Sequence, residues 1–398
     1  MTGTLDGIRV VDLTTDIMGP WAAQQLGDMG ADVIKIETIA GDMTRYNGPR
    51  RSEGMASFYL SANRNKRSIA LDITTEEGRE ALFRIVETAD VVMHNMRPQV
   101  SKKFGFSYEA FAARKPDIIY CAAFGFRSDG PMAERPAYDD IIQAACGIAQ
   151  LQTITSDQPR FVPTIIADKA SSMQVLTGIL AALVSKERTG EGQAIEVPMF
   201  ESMVDFVMVE HMNGGAFEPP IDQLGYPRLL NTMRKPYATQ DGYLAVLPYT
   251  DQNWNDLFRV AGRDDMIGHP HFVDHATRIK HSQENYGLLA DIIATKTTKY
   301  WQTELDKVNV PVQAVNTMED LLEDEQLAAT GFWQVLDHPT EGKMRFASPP
   351  IQFSKTPSSI RKLQPHLGQH SAEILAEAGY NADEIKSMME AKVSRQTG

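Results

Sequence analysis

Among the charged residues of this chain, Asp168 is the one whose setting suggests chemistry. It stands in "PTIIADKASSMQ", after a short apolar run and just ahead of a helical segment. The positive end of a helix dipole favours an ionised carboxylate there, and a carboxylate shielded from water is a competent nucleophile. On spacing alone, an ordinary helix-start aspartate is the plainer account of the same residue. Two basic clusters accompany it. "NRNKRS" carries Arg64, Lys66 and Arg67, and "HNMRPQVSKKFG" carries Arg97, Lys102 and Lys103 after a strand end. Each is either a solvated loop or a clamp for a phosphate-bearing ligand. Ligands of open α/β sheets collect beyond the carboxyl ends of strands, which favours the clamp.

Other chemistries lack their parts. A strand-turn-helix at residues 14–20, followed by Glu37, is placed like a dinucleotide site, but the turn "TTDIMGPW" has no G-x-G-x-x-G. Without those glycines a pyrophosphate cannot approach the backbone, so no nicotinamide or flavin dinucleotide is expected. No G-x-S-x-G elbow occurs, which argues against a serine hydrolase. His94 sits at a strand end, and His269, His271, His275 and His281 are scattered further on. The H-x-H pair His269/His271 would hold a metal only with outside ligands, and none is expected. Cys121 and Cys146 lie in apolar runs without metal-type spacing and read as buried thiols of a reducing cytoplasm.

Those candidates must be positioned by an alternating fold. Residues 8–14, 32–37, 90–95 and 117–126 are short apolar strand candidates with helical stretches between them, the pattern of a parallel sheet covered by helices. Gly19-Pro20 opens the first helix. Capping boxes are expected at Thr74/Glu77 and Ser171/Gln174. The second box precedes a helix with Val175, Leu176, Ile179, Leu180, Leu183 and Val184 on one face. From about Phe200 the Gly- and Pro-rich "NGGAFEPPIDQLGYP" reads as a linker into a smaller domain. A length of 398 residues suits two or three domains. The net charge of −13 argues against a nucleic-acid partner. No apolar run approaches the ~20 residues of a membrane span, so no membrane partner is expected. The start of the chain lacks a signal-peptide pattern.

Taken together, "LGDMGADVIKIE" with "GDMTR", "NRNKRSIALDI", "ADVVMHNMRPQV", "AYDDIIQAACG" and "ADKASSMQVLTGILAALVSKERTGEGQAIEV" resemble the class III CoA-transferases, over nearly the whole chain. The C-terminal "LGQHSAEILAEAGY" also fits. The resemblance implies an α/β fold. A large Rossmann-like parallel-sheet domain (residues 1–200, completed by 330–398) joins a smaller α+β domain (201–329), in an interlocked homodimer. It implies an enzyme moving CoA from an acyl-CoA to a free carboxylic acid, with coenzyme A as substrate and no permanently bound cofactor. Asp168 matches the family's catalytic aspartate, which overrides the plainer account given above. Its CoA-contacting positions fall at Ile17, Met18, Asn95, Met96, Lys103 and Tyr138, and the basic side chains Arg64, Lys66, Arg67 and Arg97 are further candidates. Lys103 replaces an arginine of some members and lacks the bidentate fork. Acyl-CoA racemases of the same superfamily pair the aspartate with a histidine in "GHD". Here the triplet is "AYD", and the phenol of Tyr138 is a poor base near neutrality. An inactive CoA-binding protein is the third alternative.

Overall fold

The computed structural model describes residues 3–397. The chain divides into two compact units. The first comprises residues 3–149, 161–207 and 330–397, and the second comprises 150–160 and 208–329.

The first unit is built on a seven-stranded sheet. Its strands are β1 (Arg9–Asp12), β2 (Asp32–Glu37), β3 (Lys66–Leu71), β4 (Val91–His94), β5 (Ile119–Phe124), β6 (Ala194–Pro198) and β7 (Ser394–Arg395). The spatial order is β7-β3-β2-β1-β4-β5-β6. All pairs are parallel except β7 with β3. β1, β2, β4 and β5 are largely apolar and buried because helices cover both faces of such a sheet. The strand order reverses between β1 and β4, and the crevice beyond their carboxyl ends is where an open α/β sheet can take a ligand.

Helices α1 (Met18–Asp28), α2 (Glu76–Glu87), α3 (Pro98–Phe104), α4 (Asp139–Ala145) and α5 (Ile166–Thr189) matter most for that crevice. The core joins Val11, Ile34, Ile69, Leu82 and Val92 to Ile374, Leu375 and Val393, so the end of the chain completes the sheet domain.

Three local expectations need correction. The segment holding Lys66 and Arg67 forms β3, and all six residues of the strand are buried. The charges escaped the apolar pattern because each has an internal partner. Lys66 pairs with Asp12 at 2.9 Å, Arg64 with Asp28 at 2.8 Å, and Arg67 with Asp32, Glu373 and Glu377 at 2.6–2.8 Å. α2 is capped one residue later than expected, by Thr75 accepting from the Gly78 N–H at 3.0 Å. α5 begins five residues ahead of Ser171, whose side chain is buried inside the helix. Its capping group comes from another helix, as described below.

The second unit has a three-stranded antiparallel sheet formed by Tyr237–Ala238, Tyr243–Val246 and Val312–Ala314. Helices Asp251–Val260, Ser282–Ile293 and Thr298–Asp306 supply Trp254, Phe258, Leu289 and Trp301 to its core. The Gly- and Pro-rich segment at its start holds a short 3-10 turn, Asn213–Ala216.

Candidate active site

The crevice beyond β1 and β4 contains an open cleft of about 550 Å³, wholly within the first unit. Four chain segments supply its polar and charged lining. The β1–α1 turn brings Asp16, Ile17 and Met18, the β4–α3 turn brings Asn95, Met96 and Arg97, the start of α4 brings Tyr138 and Asp139, and the first turn of α5 brings Asp168.

The N-cap of α5, Ile165, offers no side-chain acceptor. Asp139 takes over that task from α4. Its Oδ1 accepts the backbone N–H groups of Ala167 at 2.7 Å and Asp168 at 3.1 Å. Its Oδ2 accepts from Gln143 Nε2 at 2.6 Å, and Gln143 Oε1 accepts the Val162 N–H at 2.8 Å. Asp139 and Gln143 therefore hold both ends of the loop leading into α5. This explains why the helix starts ahead of the position that sequence spacing indicated.

The Asp168 carboxyl lines the cleft beside the first turn of α1, near enough to the backbone N–H of Met18 for that group to lower its pKa. Burial is the main force pushing its pKa up to about 7, followed by the negative charges of Asp139 and Asp16, while the Met18 N–H opposes the rise. The group is thus a carboxylate held near its protonation midpoint at neutral pH, a poise found at functional sites.

Asn95 fixes the turn that carries Met18. Its Oδ1 accepts from the Thr15 N–H at 3.0 Å and its Nδ2 donates to the Thr15 carbonyl at 2.8 Å. His94, directly behind it, accepts the Met96 N–H on Nδ1 at 3.2 Å. Its Nε2 lies 2.6 Å from Tyr120 Oη, so the neutral ring carries its proton there. Burial lowers the His94 pKa to about 4. This histidine is a fixed strut of the β4–α3 turn rather than a base. Gly125 closes the floor, since a Cβ there would fall 2.2 Å from that of Ala137.

The structure brings Ile17, Met18, Asn95, Met96, Arg97, Tyr138 and Asp168 to one cleft. It does not bring Arg64, Lys66 or Arg67 there. They are buried in ion pairs within and just before β3, so the expectation of a basic loop open to a phosphate is corrected for these three. Lys103 is exposed in the last turn of α3, outside the cleft lining. Asp16 and Asp139 are site residues that spacing did not single out. Asp139 lay inside the "AYDD" motif, but nothing in that string shows that it caps a helix nearly thirty residues on. Burial raises the Cys121 thiol to about 12 and lifts that of Cys146, as suits inert core thiols.

A family model described as CoA-transferase family III matches residues 5–371. A succinate–glutarate CoA-transferase of Agrobacterium fabrum is 32% identical over 384 residues, covering 94% of this chain and 95% of the relative. A formyl-CoA:oxalate CoA-transferase of Escherichia coli O157:H7 is 28% identical, covering 98% and 99%. Among solved structures, a CaiB/BaiF family protein from Brucella suis superposes with a TM-score of 0.80 at 32% identity, covering 95% of this chain and all of that one.

Proposed function

The chain belongs to CoA-transferase family III and is a CoA-transferase, and we propose that it moves CoA from an acyl-CoA thioester to a free carboxylic acid through covalent intermediates on Asp168. The observation that carries this reading is the Asp168 carboxylate, set in an open cleft whose lining also includes Met18, with burial raising its pKa to about 7.

The steps balance without an outside reactant. An Asp168 oxygen attacks the donor thioester carbonyl, the C–S bond breaks, and CoA thiolate leaves a mixed anhydride. The thiolate then attacks the Asp168 carbonyl carbon of that anhydride. The donor departs as its carboxylate, and Asp168 is left as a CoA thioester. The acceptor carboxylate attacks this thioester and expels thiolate, forming a second anhydride. The thiolate finally attacks the acceptor's acyl carbon, which releases the acceptor-CoA thioester and restores the Asp168 carboxylate. Dividing one difficult exchange into reversible steps is the use of covalent catalysis. The Met18 N–H is the group on hand to stabilise oxyanion character on Asp168 when the thiolate attacks it. Racemisation would need a second proton-transferring group, and the nearby His94 is buried and committed to Tyr120 and Met96.

We assign CoA-ester contacts to Ile17, Met18, Asn95, Met96, Arg97 and Tyr138, with Lys103 as an outer basic contact. No permanent cofactor enters this scheme. The reading includes an interlocked homodimer, which would cover exposed apolar side chains such as Val209 and Ile221, 76% and 71% exposed. It also includes a cytoplasmic setting, supported by two buried free thiols.

The test is incubation with a panel of acyl-CoA donors and carboxylic acids, with every CoA ester read by mass spectrometry. A new ester that requires both partners is expected from the wild type, and none from Asp168→Asn once deamidation is excluded. Full transfer by that variant would remove Asp168 from the chemistry. Deuterium uptake at the α-carbon without exchange would favour a racemase.

A further inference from the structure

The cleft has a lopsided charge balance. Asp16, Asp139, Asp140 and Asp168 line it, and Arg97 is the single basic residue among its lining. Three of these acids are accounted for. Asp168 is the proposed nucleophile, with the Met18 backbone N–H lowering its pKa, Asp139 caps α5, and Asp140 is exposed to solvent. Asp16 is different. It is half-buried between β1 and α1 with φ +67°, in the left-handed region. Its carboxylate has no hydrogen bond or ion pair among the described residues. The cation behind it, Lys35, is already committed. Lys35 Nζ donates to the Thr14 carbonyl at 2.9 Å and pairs with Asp42 at 3.0 Å. Asp42 adds further negative charge on that side. Asn95 grips Thr15 at both its N–H and its carbonyl, so the turn that presents Asp16 is held in place.

A carboxylate with no hydrogen-bond or ion-pair partner among the described residues therefore lines the space next to the proposed nucleophile. A substrate tail ending in a second carboxylate meets like charge there, which opposes ionisation of one group or the other. A tail ending in a hydroxyl, amide or ammonium brings the donor that Asp16 lacks. We propose that Asp16 is a specificity-determining residue: it disfavours acceptor acids with a second carboxylate and favours acids whose tail ends in a hydrogen-bond donor. This rests on the transfer reaction proposed above and narrows its substrate class. Glutarate and oxalate, which appear in the names of the two relatives, are dicarboxylates. Asp16 ranks such acids lower for this chain.

The experiment compares acceptors of matched length, succinate against 4-hydroxybutyrate and 4-aminobutyrate, with acetyl-CoA, butyryl-CoA and succinyl-CoA as donors, the succinate being isotope-labelled where succinyl-CoA is the donor. Steady-state kcat/KM is measured for the full-length wild type, Asp16→Asn and Asp16→Gly. Asn and Gly both tolerate the left-handed backbone, so each variant removes the charge without straining the turn. The succinate to 4-hydroxybutyrate ratio should rise about tenfold or more in both variants, the scale of a like charge removed from a poorly solvated site. A change in Asp168 ionisation acts on both acceptors alike and cancels in the ratio. An unchanged ratio, a ratio that falls, or an equal loss on all acceptors overturns the inference while leaving the transferase reading intact. A wild type that forms no new ester from any donor and acid overturns the transferase reading itself.

Discussion

At the scale of single residues, the Asp168 carboxyl sets two pH dependences. With its pKa near 7, the free enzyme gains Asp168 carboxylate, the proposed nucleophile, as pH rises. The logarithm of kcat/KM should climb through pH 6 and level off above about 7. Asp16→Asn removes one of the neighbouring negative charges that raise this pKa, so the acidic limb should move to lower pH; a limb that stays put would show that Asp16 does not sense the nucleophile. Stability runs the other way. In the folded state the group holds a proton that the unfolded chain, near 3.8, has already released, so folding is weakened as pH rises from about 4 to about 7. Asp168→Asn should therefore melt above the wild type at pH 8, and the gap should shrink as pH falls toward 4. Thermal melts across that range check this directly. Asp168 was legible as a candidate from its place before a helix, and decisive only through the family motifs around it. Asp16 was not legible, because a lone carboxylate in a turn carries no periodicity and its importance arises from a neighbouring cation, Lys35, that is bound to Asp42 instead.

At the scale of elements, the site depends on two turns held by side chains from elsewhere. Asp139→Ala removes the acceptor for the first N–H groups of α5 and should cost ~1–2 kcal/mol of stability. It should lower kcat more than it raises KM, because Asp168 is displaced while the proposed CoA contacts on the β1–α1 and β4–α3 turns stay. Asn95→Ala should lower kcat through Thr15 and Met18 and also raise KM, because Asn95 is itself a proposed CoA-ester contact. Denaturant melts and steady-state kinetics on both variants give the comparison. The alternating strands β1, β2, β4 and β5 were readable from their apolar runs. β3 was not, since Lys66 and Arg67 interrupt the run and their partners Asp12, Asp32, Glu373 and Glu377 lie far away in the sequence. The distinction is measurable. Lys66→Met strands the fully buried Asp12 and should cost ~3–5 kcal/mol. Arg97→Gln should leave the melting temperature nearly unchanged and raise KM for the CoA ester. The opposite pattern would return Lys66 to the ligand and make Arg97 structural.

At the scale of the whole molecule, helix-and-strand alternation was enough to predict a parallel sheet, while the return of the chain's end to that sheet came only with the family resemblance. No local pattern could reveal it, because Ile374, Leu375 and Val393 read as ordinary helix and strand residues until they meet Ile69 and Leu82. If the apolar side chains now facing solvent are covered by a second copy, sedimentation should give a dimer that persists on dilution until the fold itself is lost. A stable folded monomer at nanomolar concentration would rule that assembly out.

The pairing of β7 with β3 also sets a clock. Ser394 Oγ donates to the Ala70 carbonyl across 324 residues of chain. At the usual ~5–20 residues per second, a ribosome needs roughly 15–65 s to travel from one to the other. Throughout that interval the newly made β3 presents an open strand edge, the feature that invites pairing with the wrong neighbour. The nascent chain must keep that edge shielded until its partner emerges, and slower translation lengthens the exposure in direct proportion.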